Sequence, residues 1–194
     1  TIGIPQDLED SLDPHKMVTA GTREVLFNIF EGLVKVTSDG DFVPAVASSY
    51  EETEGGKVYT FTLRDNVKFH DGSTVTAEDV KFSLDKCADT SAGEPLVAAF
   101  SNIDSVNILD DKTVQVVLKE ADTEFLAYMT TAIIPASNAD PDTNPIGTGP
   151  YKFVSRSPQE NFVMERFDDY WGEPAYIKDV TFKICANADT IVMD

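Results

Sequence analysis

Residues 57–64, Lys-Val-Tyr-Thr-Phe-Thr-Leu-Arg, alternate large apolar with polar side chains, and that period of two commits them to a half-buried strand. Tyr59, Phe61 and Leu63 are expected on its buried face. A shorter strand is predicted at 67–70, closed by a turn at Asp71-Gly72. The period then changes. Thr76 can cap the amide of Asp79, Glu78 and Asp79 suit the positive end of a helix dipole, and Val80, Leu84 and Cys87 recur on one helical face. A strand that feeds a capped helix this directly points to a mixed α/β domain with a packed core.

The remaining segments follow the same two periods. Residues 1–5 alternate toward a strand, Pro14 breaks the chain within 11–15, and from Arg23 the apolar residues Val25, Leu26, Ile29 and Phe30 take helical spacing, with Gly32 as the expected stop. Residues 33–36 read as a strand that turns at 38–41, runs extended through Val43-Pro44 and ends in an apolar turn around Val46-Ala47. Residues 106–109 and 113–118 flank Asp110-Asp111-Lys112 as a hairpin, and 124–129 form a short amphipathic helix. A proline-punctuated loop at 139–145 leads to strands at 151–154, 162–167 and 180–184. Residues 187–194 start like a helix and do not complete one, so a truncated chain is expected.

Charge and motif content exclude several functions. Thirty-four acidic against 15 basic residues give a formal net charge of −19, which repels phosphate backbones and anionic membrane surfaces, and no Lys/Arg cluster offsets it. No apolar stretch approaches the roughly 20 residues of a membrane span, and no secretion leader opens the chain. Cys87 and Cys185 lie far apart in apolar patterns and read as buried free thiols. His15 and His70 lack the spacing of a nucleophile, base and orienting acid, and no metal-binding or hydrolase motif occurs, so neither catalytic nor metal-ligating residues are assigned. The acidic residues Asp7, Glu9, Asp10 and Asp13 lack the glycine and terminal glutamate of a calcium loop and are expected to be solvated. Gly147-Thr148-Gly149 lacks the third glycine of a nucleotide fingerprint; its glycines are expected to supply unusual dihedrals at a domain crossing, with Pro150 holding Gly149 extended.

Several segments, in their order, carry a resemblance: Leu12-Asp13-Pro14-His15, Phe30-Glu31-Gly32-Leu33-Val34, the run from Tyr59 to Gly72 continuing into Thr76-Ala77-Glu78-Asp79-Val80, Gly147-Thr148-Gly149-Pro150-Tyr151, and Tyr170-Trp171-Gly172. Together they resemble the peptide and nickel family (family 5) of extracytoplasmic solute-binding proteins of ABC importers, over nearly the whole chain. The resemblance implies a type II periplasmic-binding-protein clamshell of mixed α/β class, of which this is the N-terminal lobe with an inserted small α/β subdomain. Residues 1–36 and 147–194 would belong to the main lobe and 37–146 to the insertion. Relatives are longer, and the portion beyond this chain would supply the opposing lobe.

By position in that resemblance, Met17, Val18, Thr19, Ala20, Gly21 and Thr22, the turn Glu94-Pro95-Leu96, and Thr130-Thr131 would face the ligand. Exposed backbone near Gly21 would pair with an extended peptide as an added strand, and Met17 and Leu96 would supply adaptable apolar contact. The implied protein has no enzymatic activity and no cofactor; it is a monomer that traps a small peptide and delivers it to a membrane permease. Its implied location is extracytoplasmic, in the periplasm or at the surface as a lipoprotein. Nickel chelates, haem or oligosaccharides are alternative ligands within the family, and the absence of Arg or Trp at Leu96 and Thr131 favours peptide. A surface interaction module without a small ligand is the rival of another class, separable by calorimetric titration with peptides; a hydrolase would show turnover lost on changing His15 or His70.

Overall fold

A computed structural model describes residues 1–9 and 11–185. In chain order these form β1 (Ile2–Ile4), α1 (Ala20–Leu26), β2 (Val34–Val36), β3 (Phe42–Pro44), β4 (Ala47–Thr53), β5 (Val58–Leu63), α2 (Ala77–Ala88), β6 (Ile103–Asp110), β7 (Thr113–Leu118), β8 (Tyr151–Ser157), β9 (Asn161–Arg166) and β10 (Asp179–Ile184). Short 3-10 helices lie at Ala98–Asn102 and Phe125–Thr130. The helical start expected at 187–194, like Asp10, lies outside the described residues.

The start and the later part of the chain share one sheet, ordered β1-β10-β9-β8, with β1 parallel to β10 and the other pairs antiparallel. The middle of the chain builds a second, antiparallel sheet ordered β4-β5-β7-β6. In it Tyr59 lies opposite Val116 and Phe61 opposite Val114, so the alternation of β5 stacks its large side chains on one face. α2 packs against that sheet through Val80, Leu84 and Cys87, all buried. Its start is the capping box the sequence predicts: the Asp79 amide donates to Thr76 Oγ1, and the Thr76 amide donates to the Asp79 carboxylate at 2.9 Å.

Two apolar clusters result. One gathers Tyr59, Phe61, Leu84, Phe100, Val116 and Phe125 with their neighbours around the middle sheet. The other joins Leu26, Ile29, Phe30, Ile134, Phe162 and Phe182 against the first sheet. Burying one of these large side chains contributes about 2 kcal/mol relative to exposure. The buried members change cluster between Phe30 and Leu33 and again between Ile133 and Ile134, while Ile146 and Trp171 still pack against the cluster of the middle sheet.

Backbone stitches the junction. The amides of Gly149 and Tyr151 donate to the carbonyls of Ile29 (2.9 Å) and Asn28 (3.1 Å), and the Ile133 amide donates to Glu31 at 2.9 Å. Here the glycines act differently from expectation. Neither Gly147 nor Gly149 has a positive φ. A Cβ at Gly147 would lie 2.1 Å from the Ile29 carbonyl oxygen, and one at Gly149 would lie 2.5 Å from that of Asn28, so glycine is needed for close approach. Gly32 is likewise no helix stop: α1 ends at Leu26 with Phe27 as its cap, and a Cβ at Gly32 would strike the Met129 carbonyl oxygen at 2.5 Å.

Three local expectations change. α1 begins at Ala20, because the extended Thr19 acts as its N-cap. Residues 67–70 make only a single bridge, Lys68 to Thr74, although Val67 and Phe69 are fully buried. The apolar turn at Val46-Ala47 instead opens β4, an edge strand of mainly polar residues whose Tyr50 sits opposite Phe61. With so little apolar alternation, only pairing to β5 defines it.

Candidate functional site

α1 turns its buried face, Val25 and Leu26, to the core, and this leaves Arg23 and Phe27 exposed one turn apart. Phe27 is 66% exposed, unusual for a large aromatic on so short a helix. Across from it lie Leu96, 47% exposed, and the end of the second 3-10 helix, its last residue Thr130 and its C-cap Thr131. Between them runs a groove of about 350 Å³ lined by Met17, Arg23, Phe27, Leu96, Thr130 and Thr131, with His15 and Phe30 also on its wall. A second groove, of about 400 Å³, shares Phe27, Phe30 and Thr130 with it and continues toward Lys35 and Val36.

The floor is braced by buried charge. Asp13 is fully buried; its carboxylate accepts from Lys86 Nζ at 2.6 Å and from the His15 amide at 3.1 Å. His15 Nε2 lies 2.7 Å from the Ala132 carbonyl, and burial lowers the pKa of its imidazole. This corrects the solvated reading of the early acidic residues. Asp7 accepts from the amides of Leu8 and Gln159 and pairs with Arg156, while Glu9 accepts from the amides of Val18 and Thr19. Burying an acidic side chain is costly unless a cation and N–H donors replace its hydration, and Asp13 has both.

The hydroxyls on the groove wall are polarised one way. Thr130 Oγ1 donates to the Ala127 carbonyl at 2.8 Å and Thr131 Oγ1 to the Tyr128 carbonyl at 2.7 Å. Their protons are committed to backbone, so each oxygen offers only lone pairs to a visitor.

Of the residues the sequence proposed, Met17, Leu96, Thr130 and Thr131 meet in this groove, drawn from three distant segments. Thr19, Gly21 and Thr22 line a different pocket of about 450 Å³, beside β1 and Phe182. Thr22 is buried and its hydroxyl accepts from Glu9 N and Thr19 Oγ1. Val18 is 78% exposed, Ala20 and Glu94 are also exposed, and Pro95 is buried. Gly21 lies inside α1, and the Val18 and Thr19 amides are taken by Glu9, so backbone here is not free to add a peptide strand. Sequence reasoning missed Arg23, Phe27 and His15 as groove residues. The available signal was the pairing of Arg23 and Phe27 at i, i+4 on the side of α1 opposite Val25 and Leu26.

His70 serves elsewhere. Its Nδ1 accepts from the Gly147 amide at 3.3 Å and its Nε2 lies 3.0 Å from the Gly149 carbonyl, which fixes the Nε2–H tautomer and clasps the junction. Burial lowers its pKa to about 4. Glu31 completes the clasp: its carboxylate accepts from Tyr170 Oη and Trp171 Nε1, both at 2.7 Å, and from Thr148 Oγ1 at 3.1 Å. The Arg64 guanidinium stacks 4.1 Å from the Trp171 ring centroid. Both cysteines are buried and free, and among the described residues no group of three or more His, Cys, Asp or Glu could hold a metal ion. No helix among the described residues is long and apolar enough to cross a membrane.

Known proteins are similar to this chain in sequence and in fold. The family model described as "Bacterial extracellular solute-binding proteins, family 5 Middle" matches residues 41–194. The chain is 31% identical to the glutathione-binding protein GsiB of Pectobacterium atrosepticum over 172 residues, 83% of this chain and 33% of that protein. It is 31% identical to the nickel-binding periplasmic protein of Escherichia coli K12 over 189 residues, 92% of this chain and 36% of that protein. Among solved structures, the ABC transporter-associated periplasmic binding protein DppA from Helicobacter pylori, in complex with the peptide STSA, superposes with a TM-score of 0.88 at 27% identity. That match covers 99% of this chain and 43% of DppA. The chain thus spans about a third of the length of the curated relatives it matches. The fold is that of type II periplasmic binding proteins, and with a family model matched over most of its length, this chain belongs to the family 5 bacterial extracellular solute-binding proteins.

Proposed function

We propose that the groove beside α1 is one wall of a capture site for peptides or similar small organic solutes, which the whole protein holds without chemical conversion and hands to the permease of an ABC importer. One observation carries this reading: Met17, Leu96, Thr130 and Thr131, far apart in sequence, meet in a single groove with the exposed Phe27. A wall of apolar side chains with a few oriented polar groups suits an organic solute closed over by a second wall. The peptide held by the DppA neighbour supports the class of ligand. Both histidines engage backbone carbonyls within the fold, which supports binding without turnover. On this reading residues 37–146 act as an inserted subdomain that carries Leu96 and Thr130-Thr131 to the cleft, and the protein works as a monomer outside the cytoplasm, in the periplasm or lipid-anchored at the surface.

Calorimetric titration of the full-length protein with di- to tetrapeptides tests it. Saturable binding that Leu96→Asp weakens by about tenfold or more is the expected result, since a buried unpaired carboxylate at an apolar contact costs at least that much. Absence of binding to every peptide, with tight binding of a nickel chelate, would transfer the site to the family's other ligand class, which the nickel-binding relative represents.

A further inference from the structure

Of the four arginines, Arg23 is the exposed one, and it lies on the wall of the proposed capture groove. Arg156 pairs with Asp7, Arg166 with Asp168, and Arg64 donates to the Ala45 carbonyl while stacked on Trp171. Arg23 makes one hydrogen bond, Nη2 to the Met17 carbonyl at 3.0 Å, and among the described residues no carboxylate pairs with it. With 34 acidic residues against 15 basic ones in the chain, a groove-wall arginine that has no carboxylate partner among the described residues keeps its charge available to a solute. Among the described residues lining the groove it is also the one permanently charged side chain, and burial disfavours the imidazolium form of His15.

We infer that Arg23 is the specificity-determining anchor of this groove and selects solutes that carry a carboxylate. The bond to Met17 holds the guanidinium at the groove wall and leaves its other N–H donors without a partner among the described residues, an arrangement suited to paired hydrogen bonds with a planar carboxylate. The opposite side accepts: Thr130 and Thr131 spend their hydroxyl protons on backbone and present oxygens. A donor end facing an acceptor side orients a molecule with a carboxylate at one end and N–H groups along its length, as in the free-acid terminus of a short peptide. The formal charge of −19 repels an approaching anion at long range, so selection has to come from a short-range contact of this kind. The inference rests on the proposed capture site and adds which end of the solute this wall reads.

The test compares alanine- and leucine-containing di- to tetrapeptides as free acids and as C-terminal amides, screened by thermal shift and then titrated calorimetrically against the full-length protein, Arg23→Gln and Arg23→Lys. The wild type is expected to bind a free acid about tenfold or more tighter than its amide; Arg23→Gln erases that ratio, and Arg23→Lys keeps part of it. Arg23 is exposed, and unliganded melting temperatures check that the variants fold. An equal affinity of the wild type for acid and amide, or an unchanged ratio in Arg23→Gln, overturns the role of Arg23 while leaving solute capture standing. Binding of no peptide in either form overturns both.

Discussion

A methyl group added at Gly147 would sit 2.1 Å from the Ile29 carbonyl oxygen, whereas one added at Gly21 meets nothing within 4 Å. Gly147→Ala must push apart two backbone segments that hold the junction, and a loss of about 3 kcal/mol is expected from the denaturant midpoint. Gly21→Ala lies inside α1 and is expected to gain about 0.5 kcal/mol by restricting the unfolded chain. His70 gives a pH prediction. Its pKa falls from the ordinary 6.5 to about 4, first because burial penalises the imidazolium. The unfolded chain therefore takes up the proton first. Stability is full above pH 6.5 and is expected to decline by about 1.4 kcal/mol per pH unit as the pH falls toward 4. Chemical denaturation at a series of pH values measures this slope. His70→Gln should flatten it while lowering stability at pH 7.5; the part that remains includes His15, whose pKa burial also lowers, and, nearest pH 4, carboxylates such as Asp7 and Asp142.

Among the elements, α2 was the most legible, because its start and its buried face are both written locally in Thr76, Asp79, Val80, Leu84 and Cys87. Thr76→Ala removes the acceptor for the Asp79 amide and the reciprocal bond between the hydroxyl and the carboxylate at 2.7 Å, and is expected to cost about 1 kcal/mol in thermal or urea unfolding. β5 was equally plain from alternation, and the β6–β7 hairpin from its Asp-Asp-Lys turn. β4 was illegible, since Ser, Glu and Thr side chains on an edge carry no periodic apolar signal until β5 supplies the partner. Residues 67–70 failed in the opposite sense. Val67 and Phe69 alternate because both enter the core, yet their backbone pairing among the described residues is the local one with residues 73–75, not with a strand of either sheet.

At the scale of the molecule, Glu31 links the two cores by accepting from Tyr170, Trp171 and Thr148. Glu31→Gln keeps one acceptor oxygen and turns an NH2 group toward the donors on the other side. The expected outcome is a loss of about 2 kcal/mol together with a shift in the emission of Trp171, the chain's single tryptophan. Retention of both wild-type stability and wild-type emission would show that Glu31 does not couple the cores. Lys86 adds a second tie, joining α2 to Asp13 in the early loop. Both ties run between residues so distant in sequence that only the folded chain brings them together.

By itself the sequence determined the mixed α/β class, the capped α2, the alternating β5 and the order of motifs that marks the family, because each is set by neighbours along the chain. The groove was decided by tertiary structure. Met17, Leu96, Thr130 and Thr131 entered as separate expectations, and the residues that complete their meeting place, Arg23, Phe27 and His15, became visible only when the close approach of Gly147 and Gly149 to residues 28–29 brought the two cores together. Local propensity reports which residues a segment buries; which exposed faces converge depends on long-range contacts that no single segment encodes.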